Sequence, residues 1–499
     1  MPKRHDIDGQ IAALLGKVKR DINVSRKNRV FCNRNLKMAT VEMIGFDMDY
    51  TLALYHQEKL ETLSIELTLK KLIENLGYSK EILDLDYNRK LAIRGMVVDV
   101  SLGNVFKMDR HGFVGQVFHG VTPLTKEEKN KLYRSSRIRL GTSRYHWIDT
   151  LFGLPEAVMY MRLVDFLEAK TKKLNYKKLY SDIRQSIDMA HRDGSLKKII
   201  RADLGTYVKK DPHLAETLHK LRSSGKTLFL LTNSYWLYSN DVMTYLLDSE
   251  NDAYPSWRDY FDVVLVGGQK PGFFNDTKPF LEVDLESGEA KSVEVKKLAA
   301  EKVYQGGNID DFQRFTGMSG EQVLYIGDHI YGDVIRLKKG HLWRTCLVLQ
   351  ELEYENNVSE RQDQPIRDLV LLDRRRRNLE SEIDYQVLML KQIEKLMESG
   401  DPNLLPKLEH AKNKATEVYQ SLKGRFKMIH AEVSALEGQI HRSYNEHWGP
   451  MFREGNENSR FGQQVSDYAD LYTSRVSNFL YYSPLRFFRS PRVQMPHEV

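Results

Sequence analysis

The sequence predicts an α/β chain: a doubly wound parallel sheet, interrupted by a large inserted region and followed by a long helical one. Three observations predict it. Five short apolar runs, rich in β-formers and bounded by Gly, Asp or Pro, read as buried strands, and amphipathic helical segments lie between the later ones. About 180 residues separate the first run from the second, far more than a crossover connection needs. Apolar residues then recur at seven-residue spacing after position 365.

In chain order, the runs are "VEMIGFD" (41–47), "TLFLLTN" (227–233), "FDVVLVGG" (261–268), "VLYIGD" (323–328) and "RTCLVL" (344–349). "HLAETLHKLRSS" (213–224) exemplifies the connecting helices. The inserted region contains "LSIELTLKKLIENLG" (63–77) and "DIRQSIDMAHRDG" (182–194), both with helical period. In 369–399, Leu372, Leu379 and Ile393 form one row and Ile383, Leu390 and Met397 a second, as in a long helix of a hairpin. "DPNLLP" (401–406) supplies its turn and 407–440 the return helix. The expected division is 1–60 with 210–360 as the core, 61–209 as a mainly helical inserted cap, and 361–499 as a helical hairpin with a tail that packs on the core or on a partner subunit.

Ligands of such sheets bind at the carboxyl ends of the strands, and the distinctive polar residues follow those ends. Asp47 and Asp49 stand two residues apart after the first run, so both face the space beyond it. Two carboxylates there are tolerable beside a divalent cation, and they suit different tasks, one as nucleophile and one as acid and base. Thr232 and Asn233 offer donors for a phosphoryl group, Lys270 in "GGQKPGFF" a cation, and Asp328 and Asp333 in "GDHIYGDV" a pair of metal ligands. Each has a plainer reading as a cap, a loop or a solvated side chain. Together, each after its own strand, they point to phosphoryl chemistry.

The pattern DxDxT, then Thr, Lys and GDxxxxD, resembles the haloacid dehalogenase (HAD) superfamily of phosphohydrolases. "VFCNRNLKMATVEMIGFDMDYTLALY" (30–55), "AHRDGSLK" (190–197), "VLYIGDHIYGD" (323–333), "YADLY" and "MPHE" resemble, more narrowly, the cytosolic purine 5′-nucleotidases that prefer IMP and GMP. The resemblance implies a HAD-like core. It also implies a Mg²⁺-dependent 5′-nucleotidase with phosphotransferase side activity. Asp47 would be the nucleophile forming an aspartyl-phosphate and Asp49 the general acid/base, its carbonyl also touching the metal. Thr232, Asn233 and Lys270 would hold the phosphoryl group. Asp47, Asp49, Asp328 and Asp333 would form the Mg²⁺ site. In the cap, Phe152, Arg184, Asp188, His191 and Lys197 would meet base and ribose, with Phe152 and His191 sandwiching the ring. Gly153 stands where the vertebrate-type enzymes carry Asn. Arg139, Tyr331 and Lys339 would belong to a nucleotide-effector site. A HAD phosphatase for another small phosphomonoester, or a non-catalytic scaffold binding protein or RNA through the helical arm, are the alternatives. The intact acidic set argues against the scaffold.

Composition sets the outer bounds. The chain has 499 residues, 41% hydrophobic and 29% charged, with formal net charge +7, a mild excess suited to an anionic small substrate. The run Arg374 to Arg377 reads as a charged helix face rather than a nucleic-acid surface. Cys32 and Cys346 fit neither a disulfide framework nor a metal spacing. The N-terminal "MPKRHDIDGQIAALLGKVKR" lacks a signal peptide's apolar core, and no window approaches a membrane span. The expectation is a cytoplasmic protein that forms homo-oligomers, with purine nucleoside monophosphates and nucleotide effectors as ligands and neither membrane nor nucleic acid as partner.

Overall fold

The computed structural model describes residues 24–134, 138–335, 340–398, 400–492 and 495–498. The chain forms two compact units, Met1–Tyr354 with Glu457–Val499, and Glu355–Asn456.

The first unit is organised by a ten-stranded sheet. Its strands are β1 (Phe31–Cys32), β2 (Met43–Phe46), β3 (Thr227–Leu231), β4 (Val263–Val266), β5 (Phe280–Val283), β6 (Ala290–Glu294), β7 (Val303–Gly306), β8 (Val323–Gly327), β9 (Arg344–Val348) and β10 (Leu471–Thr473). Their order is β1-β10-β9-β8-β2-β3-β4-β7-β5-β6. The run from β10 to β7 is parallel, and β1, β5 and β6 add antiparallel edges. All five predicted strands are present, each shorter than its apolar run. Every residue of β2, β4 and β8 is buried, which is why these strands read as continuous apolar runs rather than alternations. The short β7, the β5–β6 hairpin and β10 were not anticipated.

Register fixes where chemistry sits. Phe46 pairs with both Leu230 and Ile326, so Asp47 emerges level with Leu231 and Gly327. Thr232 and Asp328 stand one residue beyond, on the same rim.

The region inserted after β2 contains α1 (Gln57–Leu76), α2 (Leu154–Glu168), α3 (Tyr176–Arg192) and α4 (Ser195–Ala202). It also holds a five-stranded antiparallel sheet in which Met96–Asp99 pairs with Asn104–Met108 and Tyr145–Ile148. The helices follow the expected periods: Ile183, Ile187 and Ala190 are the buried stripe of α3. The sheet went unforeseen because its strands are short, and buried polar residues such as Asp99, Asn104 and Lys107 interrupt their apolar runs. The inserted region leaves and rejoins the core through a two-stranded ribbon, Leu54–Tyr55 against Val208–Lys209. Helix α5 (Trp236–Leu247) follows β3.

The second unit is a helical hairpin of α6 (Asp363–Glu398) and α7 (Leu405–Tyr444), packed along their length. Leu379 and Ile393 of α6 and Ala415, Leu422, Val433 and Ile440 of α7 are its buried rows. Among the described residues no helix is long and apolar enough to cross a membrane.

Gly45 lies under the Phe229 ring, and a Cβ there would come within 2.1 Å of it. Gly45→Ala should therefore destabilise the core by about 1–3 kcal/mol through overpacking. Gly424, within α7 and with open space around its Cβ position, should gain about 1 kcal/mol as Ala from helix propensity alone. Thermal unfolding of both variants checks the opposite signs.

Candidate active site

Four strand ends bring the site together. The Asp47 amide donates to the Ile326 carbonyl at 2.8 Å, and its Oδ1 accepts from the Met48 amide at 2.7 Å. The ammonium of Lys270, in the loop after β4, stands 2.9 Å from Asp47 Oδ2 and 2.8 Å from Asp333 Oδ1. It also donates to the Tyr325 hydroxyl, which in turn donates to the Leu231 carbonyl at 2.9 Å. Asn233 fixes the Lys270 backbone from both sides: its Oδ1 accepts from the Lys270 amide at 2.6 Å and its Nδ2 donates to the Lys270 carbonyl at 3.0 Å. Oδ1 and one N–H of Nδ2 are thus engaged with the Lys270 backbone, and the second N–H of Nδ2 remains as a donor. Thr232 is fully buried and its hydroxyl accepts from the Ser234 amide at 3.1 Å.

Oxygens of Asp47, Asp328 and Asp333, all buried, lie within 4.8 Å of one another. Burial pushes Asp47 up to about 7; Lys270 opposes the rise, and Asp333 and Asp49 add to it. Burial, then the charges of Asp333 and Asp47, hold Asp328 well above the carboxylate range. Lys270 is held well above its ordinary value because Asp333 and Asp47 outweigh the cost of burying it. Three acids share one ammonium, the crowding that raises Asp47 and Asp328, and their all-oxygen donor set suits a hard divalent cation that would relieve it. Glycine at 327 is part of the fit. A Cβ there would stand 2.4 Å from Asp333 Oδ2, so any larger residue would push that carboxylate off the strand end. Beneath the cluster, the buried Arg94 donates to the Asp328 carbonyl at 3.1 Å and pairs with Glu351 through two of its nitrogens. His329 stands 3.4 Å from Asp149, and that contact raises it to about 9 against the pull of burial.

Asp49 turns toward a second group of residues. Its Oδ1 accepts from the Tyr55 hydroxyl and its Oδ2 from Ser234 Oγ at 2.7 Å. Lys197 donates to Ser234 Oγ at 3.2 Å and lies over the Tyr238 ring. Lys197, expected among the base and ribose contacts, also reaches the loop after β3 through Ser234, because α4 packs near α5.

A cavity of about 320 Å³ opens beside Asp49 and is lined by Phe152, Gly153, Arg184, Asp188, His191 and Lys197 among others. Phe152 packs edge-to-face on Tyr50 (4.7 Å between centroids) and on His191 (5.7 Å, 88°). The Phe152 and His191 rings thus stand perpendicular, not in the parallel arrangement that the expected sandwich of a base needs. Burial lowers His191, keeping it neutral near pH 7. Arg184 is not simply paired along its helix with Asp188, at 3.6 Å; it reaches the buried Glu156 of α2 at 2.8 Å. A Cβ at Gly153 would make only ordinary contact, the nearest atom being Ile148 Cγ2 at 3.4 Å.

Of the expected effector residues, Arg139 is exposed on the loop before Tyr145–Ile148. Lys339 lies outside the described residues, as does the Tyr331 side chain. Sequence reasoning missed Tyr55, Ser234, Tyr238 and Glu156. Ser234 was within reach, one residue after the Thr-Asn pair. Glu156 was not, since nothing local marks a buried glutamate as an arginine's partner.

A profile described as the 5′ nucleotidase family matches residues 30–499. A 5′-nucleotidase domain-containing protein of Dictyostelium discoideum is 29% identical over 474 residues, covering 94% of this chain and 74% of that one. The human 5′-nucleotidase domain-containing protein 2 is 33% identical over 342 residues, covering 66% of this chain and 64% of that one. Among solved structures, a predicted phosphoglycolate phosphatase from Haemophilus somnus superimposes with TM-score 0.27 at 14% identity, over 62% of this chain and 86% of that one. CbbY from Rhodobacter sphaeroides, solved in complex with phosphate, gives 0.24 at 14% over the same shares.

The acidic cluster makes a prediction that needs no assay of activity. Mg²⁺ should raise Tm, by an amount corresponding to about 2.7 kcal/mol at a hundredfold excess over Kd. Asp328→Ala should remove most of that rise. An unchanged Mg²⁺ response in the variant would locate the cation elsewhere.

Proposed function

The chain belongs to the 5′ nucleotidase family, and from that premise we propose that it is a Mg²⁺-dependent phosphomonoester hydrolase acting on purine nucleoside 5′-monophosphates, IMP and GMP foremost. The observation that carries the chemistry is the buried trio of Asp47, Asp328 and Asp333 with Lys270 between two of them. A phosphomonoester brings close to two negative charges, and a site for it must neutralise them. Mg²⁺ bound by these three acids would supply Lewis acidity and offset charge on the phosphoryl oxygens.

The residues divide the rest of the work. Asp47 attacks phosphorus, the P–O5′ bond breaks, and Asp49 gives its proton to the departing nucleoside oxygen. Asp49 then takes a proton from the water that attacks the aspartyl-phosphate, releasing phosphate and restoring Asp47. Lys270, with Thr232 nearby, balances the charge of the transferring group, and Lys197 and Ser234 approach it from the other side. A nucleoside in place of that water would give the phosphotransferase side reaction. In the cavity beside Asp49, the Phe152 face suits a purine, which offers more stacking area than a pyrimidine. Arg184, anchored on Glu156, favours the 6-oxo acceptor of IMP and GMP over the 6-amino donor of AMP.

Asp47→Asn, which is isosteric, should lower turnover on the order of 10⁴-fold while leaving the melting curve in place. Retention of more than about a tenth of wild-type rate would contradict the covalent route. The substrate reading is checked by phosphate release from IMP, GMP, AMP, UMP and CMP beside a set of sugar phosphates. IMP and GMP should exceed UMP and CMP by roughly tenfold or more in kcat/KM, since stacking differences of about 1.4 kcal/mol give that ratio. Phe152→Ala should shrink the ratio severalfold. Equal rates on IMP and UMP, or a preference for a sugar phosphate, would replace the purine assignment.

A further inference from the structure

The Asp49 carboxyl is held by a group that no role above requires. Tyr50 lies in the left-handed region (φ 57°), and the amides of Thr51, Leu52 and Ala53 all turn back on the Met48 carbonyl at 3.2, 3.0 and 2.9 Å. This tight loop returns the chain so that Tyr55, six residues on, donates its hydroxyl to Asp49 Oδ1. Tyr55 is 2% exposed, and its hydroxyl also contacts that of Tyr238, itself 6% exposed, at 2.9 Å. Its backbone is fixed by the ribbon to Val208 and by the His56 amide donating to the Tyr207 carbonyl at 2.8 Å. The other carboxyl oxygen, Oδ2, lies on the side of Ser234, and through Ser234 of Lys197.

We propose that Tyr55, backed by Tyr238, is the positioning residue of the Asp49 carboxyl: with Ser234 on Oδ2 it fixes the carboxyl plane, and the second lone pair of Oδ2, on the cavity side, exchanges a proton with the leaving group. The inference rests on the phosphatase reading and deepens it. When the ester is cleaved, the electron pair of the P–O bond stays on the leaving oxygen and the proton on Oδ2 moves to it. Asp49 becomes a carboxylate, and Tyr55 keeps its own proton and donates a hydrogen bond to the charge that appears. That bond is stronger once the charge has formed than before, so it favours the transition state.

The leaving group decides the test. Phenolate leaves poorly and profits from a proton; p-nitrophenolate leaves without one. Measure kcat/KM, which reports steps through ester cleavage, for phenyl phosphate, p-nitrophenyl phosphate and IMP, with wild type, Tyr55→Phe and Tyr238→Phe. General acid catalysis contributes on the order of 10²–10⁴-fold, and losing its alignment should remove part of that. Tyr55→Phe should lose at least about tenfold more on phenyl phosphate than on p-nitrophenyl phosphate. Tyr238→Phe should tilt the same ratio the same way by a smaller factor. Equal losses on both aryl esters, or no loss, would overturn the positioning role. Should Tyr55→Phe fail to fold, the ratio for Tyr238→Phe decides alone. Failure on IMP with both aryl esters hydrolysed by the wild type would reject the nucleotide substrate and leave the aryl comparison to decide on Tyr55. A wild type that hydrolyses none of the three would reject the phosphatase reading itself.

Discussion

The Lys270 ammonium, held between Asp47 and Asp333 almost out of contact with solvent, is the interaction on which the arrangement of the strand ends depends. An ion taken out of water costs several kcal/mol, and only closely matched partners offset it. Here the matching is done by backbone register. Parallel pairing of β8, β2 and β3 sets Asp47 level with Leu231 and Gly327, and Asn233 then pins the Lys270 peptide from both sides. The absence of a side chain at Gly327 lets Asp333 close the group. A single lysine does not balance three acids, so the same packing that buries the cluster also makes it receptive to a cation and then to an anion that the cation attracts.

The inserted region approaches this centre from one side and gives it direction. Phe152, Arg184 and His191 surround the cavity beside Asp49, while Lys197 reaches past them to Ser234. Asp49 is therefore where the two halves of the site meet, with one oxygen on Tyr55 of the connecting ribbon and the other on the loop after β3. On the cavity wall Phe152 and His191 meet edge to face, and the direction of Arg184 is set from behind by Glu156.

Much of this was legible in the sequence because it is local. Buried parallel strands announce themselves as uninterrupted apolar runs, and the polar residues that follow four of them, Asp47, Thr232, Lys270 and Asp328, are visible without knowing the fold. The helical hairpin was legible from seven-residue rows, of which Leu379 and Ile393 proved to be the buried members. What escaped depends on distant pairing. The strand β10 is three residues long and gains its identity from β9, more than a hundred residues earlier. The reach of Lys197 to Ser234 depends on where α4 meets α5, and the bonds by which Asn233 fixes the Lys270 backbone depend on how the loops after β3 and β4 meet.

Asp47, neighboured by Lys270 and two further carboxylates, is the proposed acceptor of the phosphoryl group. Acid quenching of the enzyme during steady-state turnover of its best mononucleotide, followed by proteolysis and mass spectrometry, tests that role. A phosphorylated peptide containing Asp47 is expected, with the label on that side chain and lost on return to neutral buffer with Mg²⁺. Phosphate on a different residue, or turnover at full rate with no phosphorylated peptide, would contradict it.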